Sequence, residues 1–534
     1  MSEPAVVPQL TVRPELERYP KAPAQLLGGR LRLRISENRN HDRLTVAVYW
    51  LALVGALSAW LLAIRAPLWL DETGSYWTIA GGFRQIWARS VALNSFPAYY
   101  YILWLTNLIF GSREVVLRIP SLLAMMAAAY IVYRCARQWF AGDVALITAV
   151  LFMLDRRIVF EAIDVRPYAF ALLITSLAIY CFIRWMKTSS LFHAAMFGLA
   201  SGGVFYFHYL YGCILVAFAI CYGVARGRSS VTSWRQLAVV FGCFVPLLIP
   251  IWARLIYLQQ TRNAHVFADT PAFRSFLRAL APGVVPFVFL GTVVVAMLLR
   301  KIMKPSRESI RTLLMCFTLA FVPIAILYGI TMTTPVHIFV ERYEAVAVPG
   351  IALAWAWLLS IIDSRTLRLL CCLALVTAAG YGFYTAPRAR LHGFTWKYAL
   401  EAADANAARD GAAILMCSDL PESDFSGMPS GATSESALFS PLSYYRVRAR
   451  IVPMPRSLNE EARRIGTNFL IEASSRHRRI LALGFRASYP TLRWLESVSS
   501  ASYETHLLGD FDGIQLIEFD PRTAARGHSS ASQN

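Results

Sequence analysis

The sequence predicts an α-helical polytopic membrane protein with a small α/β domain at its C-terminal end. Three observations carry that expectation. Of 534 residues, 56% are hydrophobic and only 16% charged, with 14 Trp, 24 Tyr and 31 Phe, an apolar excess rare in a water-exposed protein of this length. Apolar runs such as Leu44–Ile64, Ala169–Ile183 and Phe287–Leu299 approach the ~20 residues a helix needs to cross a bilayer core. From about Phe394 the composition becomes that of a soluble domain.

Charge and cysteine usage narrow the class further. The net charge of +19 would raise nucleic acid as a partner, but the Arg and Lys residues sit mostly in short loops between apolar runs. Topology signalling and contact with membrane lipids explain them better, and no nucleic-acid partner is expected. Eight of the nine cysteines lie in or beside apolar runs, Cys417 alone in the tail, with no CxxC. Neither a redox motif nor a structural zinc site is indicated.

Residues 1–43 read as a disordered, basic, cytoplasmic arm, and Leu44–Ile64 as a retained first helix rather than a signal peptide. Residues 44–385 then form the membrane domain, with 65–114 as its first external loop. Within that loop Phe96–Phe110 is short for a full span and reads as re-entrant or interfacial. Further spans follow at about Val115–Val132, Phe140–Leu154 and Tyr168–Ile183, on either side of "FHYLY", and at Leu237–Leu255. Three more end at or lead from "RKIMKPSRESIR", "TTPVHIFVERYE" and "DSRTLR", and the last runs from Leu367 to Tyr384. About eleven spans result, and basic loops on the inner side keep the N-terminus cytoplasmic. Arg156 and Arg157 fall at an outer end and run against that rule.

Residues 386–521 then read as an external, periplasmic α/β domain of a protein in the cell inner membrane. "WKYALEAADANAARDGAAILMCS" gives an amphipathic helix, a Gly turn and a buried strand; "RRILALGF" and "GIQLIEF" give strand-like runs. The stretch 421–441 reads as a flexible loop and 522–534 as a disordered tail.

This orientation gathers ionisable groups on one surface: Asp71 and Glu72 in "LWLDET", Asp155, Glu161, Asp164 and Arg166 in the next outer loop, His208 and Tyr209 in "FHYLY", His265 and Asp269, and His337, Glu341 and Arg342. Each has a structural explanation. Asp71 and Glu72 precede a predicted helix and suit its positive end. Asp164 and Arg166 suit an ion pair, His208 a hydrogen-bonded interfacial role, Tyr99, Tyr100 and Tyr101 an aromatic belt, and Arg342 with Tyr343 a snorkelling anchor.

The order of segments "LWLDET", "SFPAYYYILW", "FGSREVVLRIPSLLA", "DVRPYAFALL", "FHYLYG" and "ERYEAVAVPGIALA" is similar to that of the polytopic glycosyltransferases of the GT-C superfamily. It most resembles bacterial relatives of protein O-mannosyltransferases and aminoarabinose transferases. The resemblance covers about residues 44–385. It implies sugar transfer from a polyprenyl-phosphate donor to an envelope glycan, lipopolysaccharide or glycolipid acceptor, with inversion. Asp71 matches the acid of the first external loop and is the expected base or acceptor-orienting group, with Glu72 as its assistant. The second acid of the pattern falls on Asp164, followed by matching Arg166, Pro167 and Tyr168.

Arg166 and Arg342 are then the donor-phosphate ligands, while Tyr168, His208, Tyr209 and Tyr343 line the substrate groove. A divalent metal on Asp71 and Asp164 would serve the leaving group similarly, and the sequence leaves that open. "FPAYYY" has one proline where the family commonly has two, and the second loop carries the extra charges Asp155, Arg156, Arg157 and Glu161. A polytopic lipid or solute transporter or flippase is the alternative, but its charges should lie near helix midpoints, whereas these lie near one surface. A non-catalytic envelope scaffold would need none of the external acids.

Overall fold

The computed structural model describes residues 30–93, 95–226, 233–260, 270–281, 283–385, 396–417, 440–455, 457–485 and 489–522. Two compact units divide the chain after Val48. In the first, the described residues are helical from Arg30 onward, where a disordered arm was expected; residues 1–29 lie outside the described set. The second unit, Tyr49–Asn534, holds everything below.

Among the described residues, five helices are long and apolar enough to cross a membrane unaided: Glu114–Ala136, Tyr168–Thr188, Trp234–Tyr257, Arg307–Thr333 and Glu341–Ser360. A bent pair, Phe273–Leu280 with Val285–Leu298, makes up to six. Shorter apolar helices occupy Val46–Leu61, Ala98–Phe110, Gly142–Leu154, Leu191–Phe207 and Tyr209–Val224, and Arg365–Thr385 is also helical. A helix therefore stands at every segment read as a span, although fewer meet full-span length than the count expected from the loops.

The membrane part packs around one large core running from Ala56 and Trp60 through the helices 114–136, 168–188 and 191–207 to Trp357. Close approach between helices depends on small residues: a Cβ on Gly350 would lie 2.5 Å from the Leu319 carbonyl carbon, and one on Gly198 2.5 Å from the Val240 oxygen. Large apolar side chains such as Leu108, Phe110, Leu123 and Leu298 remain exposed on these helices. In water that would be costly; against acyl chains it is not.

The C-terminal part is a five-stranded sheet of order β2-β1-β3-β5-β4, with β1 at Ala413–Cys417, β2 at Ile451–Met454, β3 at Ile480–Phe485, β4 at Tyr503–Phe511 and β5 at Ile514–Pro521. β1 pairs parallel with β2 and β3, while β5 runs antiparallel to β3 and β4. The β4–β5 hairpin turns through Asp512 and Gly513, both at positive φ (55° and 96°), the geometry an Asp-Gly pair favours. Helices Glu460–Ser475 and Tyr489–Ser499 cover one face and Trp396–Ala407 the other, each with its own apolar core. The loop read over 421–441 lies outside the described residues up to 439, as does the tail from 523.

Candidate active site

The acid-bearing helix runs from Leu70 to Ala80, with Asp71 and Glu72 in its first turn. Successive residues on a helix point about 100° apart, so the two carboxylates face different surroundings. Glu72 turns inward. Its side chain is 1% exposed and meets the fully buried Arg118 in a forked pair, Oε1 to Nε at 2.9 Å and Oε2 to Nη2 at 2.5 Å. The Glu72 carboxylate also accepts the backbone N–H of Trp69 at 3.2 Å and of Val165 at 3.0 Å. Arg118 donates further to the carbonyls of Ile64, Ala66 and Pro67 at 3.0, 2.5 and 3.2 Å. One buried ion pair thus ties the approach to the first acid to the loop of the second.

Asp71 turns outward and its side chain is 21% exposed. The Nη1 of Arg342 lies 3.0 Å from its Oδ2, and Nη2 of Arg166 lies 3.9 Å from the same atom. Asp164 stands on the other side of Trp69, whose indole N–H donates to its Oδ1 at 3.0 Å. Its Oδ2 and the Oε2 of Glu161 are buried, with no hydrogen-bond partner among the described residues. Burial, reinforced by the Glu72 carboxylate, pushes the Asp164 carboxyl up to about 8. Burial and the neighbouring Asp164 push Glu161 the same way, well above the ordinary glutamate range. Burial thus biases both carboxyls toward the neutral form, while Asp71 is the partly exposed acid beside the two guanidinium groups.

Aromatic rings wall the other side. His208 lies 5.0 Å from the ring of Tyr168 and 5.1 Å from that of Tyr343, and it stacks on Tyr209 at 5.7 Å. Arg342 sits over Tyr343 and Arg166 over Tyr168, at 5.4 and 5.8 Å from the ring centroids, which orients both guanidinium groups. The residues singled out from the sequence, Asp71, Asp164, Arg166, Arg342, Tyr168, His208, Tyr209 and Tyr343, lie near one another. His265 and Asp269 lie outside the described residues.

Three details differ from the sequence reading. Glu72, expected beside Asp71 as an assistant, has both oxygens occupied and shapes the site from beneath. Tyr99 and Tyr100, expected in an interfacial belt, are fully buried in a cluster with Leu68, Leu117 and Val165, because their short helix packs inward under the acid-bearing one. Asp155 and Arg157 form a buried forked pair at 2.7 and 2.8 Å, with Glu344 3.7 Å from the same guanidinium. Arg157, one of the two charges that ran against the basic-loop rule, is therefore structural, fastening the second outer loop to the Arg342 segment, whereas Arg156 is exposed and faces Glu341 at 3.5 Å.

Sequence reasoning also passed over Arg118 and Trp69. Arg118 had a signal: a lone arginine inside an apolar helix requires a partner. Trp69 had none.

Among the described residues, the donor set around Asp71 does not fit the divalent metal left open by the sequence. Among the described residues no three His, Cys, Asp or Glu side chains converge, and two guanidinium groups already sit against the Asp71 carboxylate. A divalent cation there would meet their repulsion.

Comparison with known proteins agrees with this architecture. Residues 94–252 match the family model described as dolichyl-phosphate-mannose-protein mannosyltransferase. The fold is similar to that of ArnT from Cupriavidus metallidurans bound to undecaprenyl phosphate: TM-score 0.52, 13% identity, over 90% of this chain and 98% of that one. The archaeal oligosaccharyltransferase AglB from Archaeoglobus fulgidus, in complex with an inhibitory peptide and a dolichol-phosphate, aligns over 91% of this chain and 75% of that one at 12% identity. Its TM-score is 0.46. No curated protein matches the chain. The helices long and apolar enough to cross a membrane make the chain a multi-pass membrane protein, similar in fold to ArnT and, over residues 94–252, similar to the mannosyltransferase family model.

Proposed function

We propose that the chain transfers a sugar, with inversion, from a polyprenyl-phosphate donor to an envelope glycan, lipopolysaccharide or glycolipid acceptor at the outer leaflet of the inner membrane. The observation that supports this most is the partly exposed Asp71 carboxylate with Arg342 at 3.0 Å and Arg166 at 3.9 Å. Transfer from a lipid phosphate needs those two functions side by side.

The acceptor hydroxyl oxygen attacks the anomeric carbon from the face opposite the phosphate, and its proton passes to Asp71. The bond between the anomeric carbon and the phosphate oxygen breaks, its electron pair staying on the lipid phosphate. The forked guanidinium groups of Arg342 and Arg166 take up that developing charge where water is scarce. Tyr168, His208, Tyr209 and Tyr343 form the groove wall, and neutral Asp164 orients hydroxyls rather than removing protons. Glu72 acts at one remove, by holding the first turn of the helix.

The ArnT structure holds undecaprenyl phosphate in the same general fold, consistent with a donor of that chemistry. In the test, purified protein is incubated with a panel of radiolabelled polyprenyl-phosphate sugars and envelope acceptors. Label should pass to an acceptor from one donor class. Vectorial movement of lipid without bond cleavage would instead favour the transporter reading.

A further inference from the structure

The segment leading into the acid-bearing helix is fixed almost wholly by the membrane part of the chain, through Arg118 and Glu72. One backbone group is handled differently. The N–H of Leu68, three residues before Asp71 and fully buried, donates to the phenol oxygen of Tyr445 at 2.7 Å. Tyr445 follows the short helix Ser440–Tyr444, which leads to the edge strand β2 of the C-terminal sheet. Its neighbour Tyr444 donates its own hydroxyl to the Ser112 carbonyl at 2.7 Å, and its ring meets Tyr76 of the acid-bearing helix edge-on at 4.9 Å.

The two tyrosines also contact each other at 4.8 Å, and both pack against the buried cluster of Leu68, Tyr99, Tyr100 and Val165. In the opposite direction, Leu70 packs into the apolar core of the C-terminal sheet. Membrane part and sheet domain thus exchange side chains on both sides of the first turn that carries Asp71.

We propose that Tyr445 is a positioning residue for Asp71, and that the C-terminal domain, through this pair of tyrosines, completes the catalytic geometry of the membrane part. The proposal rests on Asp71 being the proton acceptor in glycosyl transfer. A buried amide needs a partner. Without the phenol oxygen the Leu68 N–H must seek water or another acceptor, and the chain at 68–70 shifts or samples more than one position. A displacement of about 1 Å at a reacting group can cost on the order of 100-fold in rate, so loss of one anchor should register in kcat before it registers in folding.

The experiment compares full-length wild type, Tyr445→Phe, Tyr444→Phe, Tyr503→Phe and Asp71→Asn in lipid nanodiscs. Steady-state transfer kinetics, thermal unfolding and amide hydrogen exchange over the peptide containing Leu68 are measured on each. Tyr445→Phe keeps the ring and its burial; it should lower kcat about tenfold, leave KM for donor and acceptor within about twofold, and speed exchange at Leu68. Tyr444→Phe should move kcat and exchange in the same direction. Tyr503→Phe, which removes a hydroxyl bonded to the Arg478 carbonyl elsewhere in the sheet domain, should leave kcat unchanged.

Wild-type kcat in Tyr445→Phe together with an inactive Asp71→Asn overturns the positioning role and leaves the glycosyl-transfer reading standing. An active Asp71→Asn overturns both. A loss in Tyr445→Phe that appears only as a lower unfolding temperature, with kcat per folded molecule intact, also overturns it.

Discussion

Arg342 and Asp71 are 271 positions apart in the chain and meet at 3.0 Å, guanidinium to carboxylate. Tyr211 fixes the Arg342 backbone from behind by donating its hydroxyl to the Arg342 carbonyl at 2.8 Å. A guanidinium presents a planar fork that a lysine ammonium lacks. Arg342→Lys should therefore keep the charge but raise KM for the donor and lower kcat/KM about 10- to 100-fold. Kinetics with donor varied at saturating acceptor measure this, and an unchanged donor KM would remove Arg342 from phosphate binding.

The buried pair of Glu72 and Arg118 governs stability. Removing one partner leaves the other as an uncompensated charge, so Glu72→Leu should cost about 3–5 kcal/mol. The double variant Glu72→Leu with Arg118→Met removes both charges and should recover much of that loss, although the carbonyls of Ile64, Ala66 and Pro67 then lose their donor. Thermal unfolding of the wild type and these two variants in one detergent decides the matter. A double variant no more stable than the single would show that the carbonyl contacts, rather than the charge pairing, dominate.

What the sequence made legible followed periodicity, charge and composition. Apolar runs marked each membrane helix, and the change near Phe394 marked the sheet domain. Asp71, Asp164, Arg166 and Arg342 stood out as charges beside apolar segments on one predicted side. The roles within an adjacent pair were not legible, since only the helical twist sends Glu72 inward and Asp71 outward. Nor was the helical register of Tyr99 and Tyr100, whose burial depends on which neighbour their short helix packs against. The tyrosines of the sheet domain were hidden for a further reason: no local pattern marks a phenol as the acceptor for an amide 377 residues earlier.

Asp164 gives a pH dependence with a definite sign. Between the ordinary aspartate value of 3.8 and about 8, the folded protein holds a proton on Asp164 that the unfolded chain has released. Stability should therefore fall as pH rises through that window, by at most about 1.4 kcal/mol per pH unit, and level off above it. Asp164→Asn is neutral throughout and should flatten the decline in unfolding temperature between pH 6 and 8. Glu161, shifted in the same direction, leaves a residual slope. Identical slopes in wild type and variant would mean that Asp164 is already ionised at neutral pH.

The most direct measurement concerns Asp71 itself. Single-turnover transfer from a labelled polyprenyl-phosphate sugar, with donor binding measured separately, should give for Asp71→Asn a chemical step slower by about 100- to 10,000-fold and donor affinity at least equal to wild type, since Arg342 and Arg166 lose their competing carboxylate. A variant that transfers sugar at the wild-type rate would contradict Asp71 as the proton acceptor.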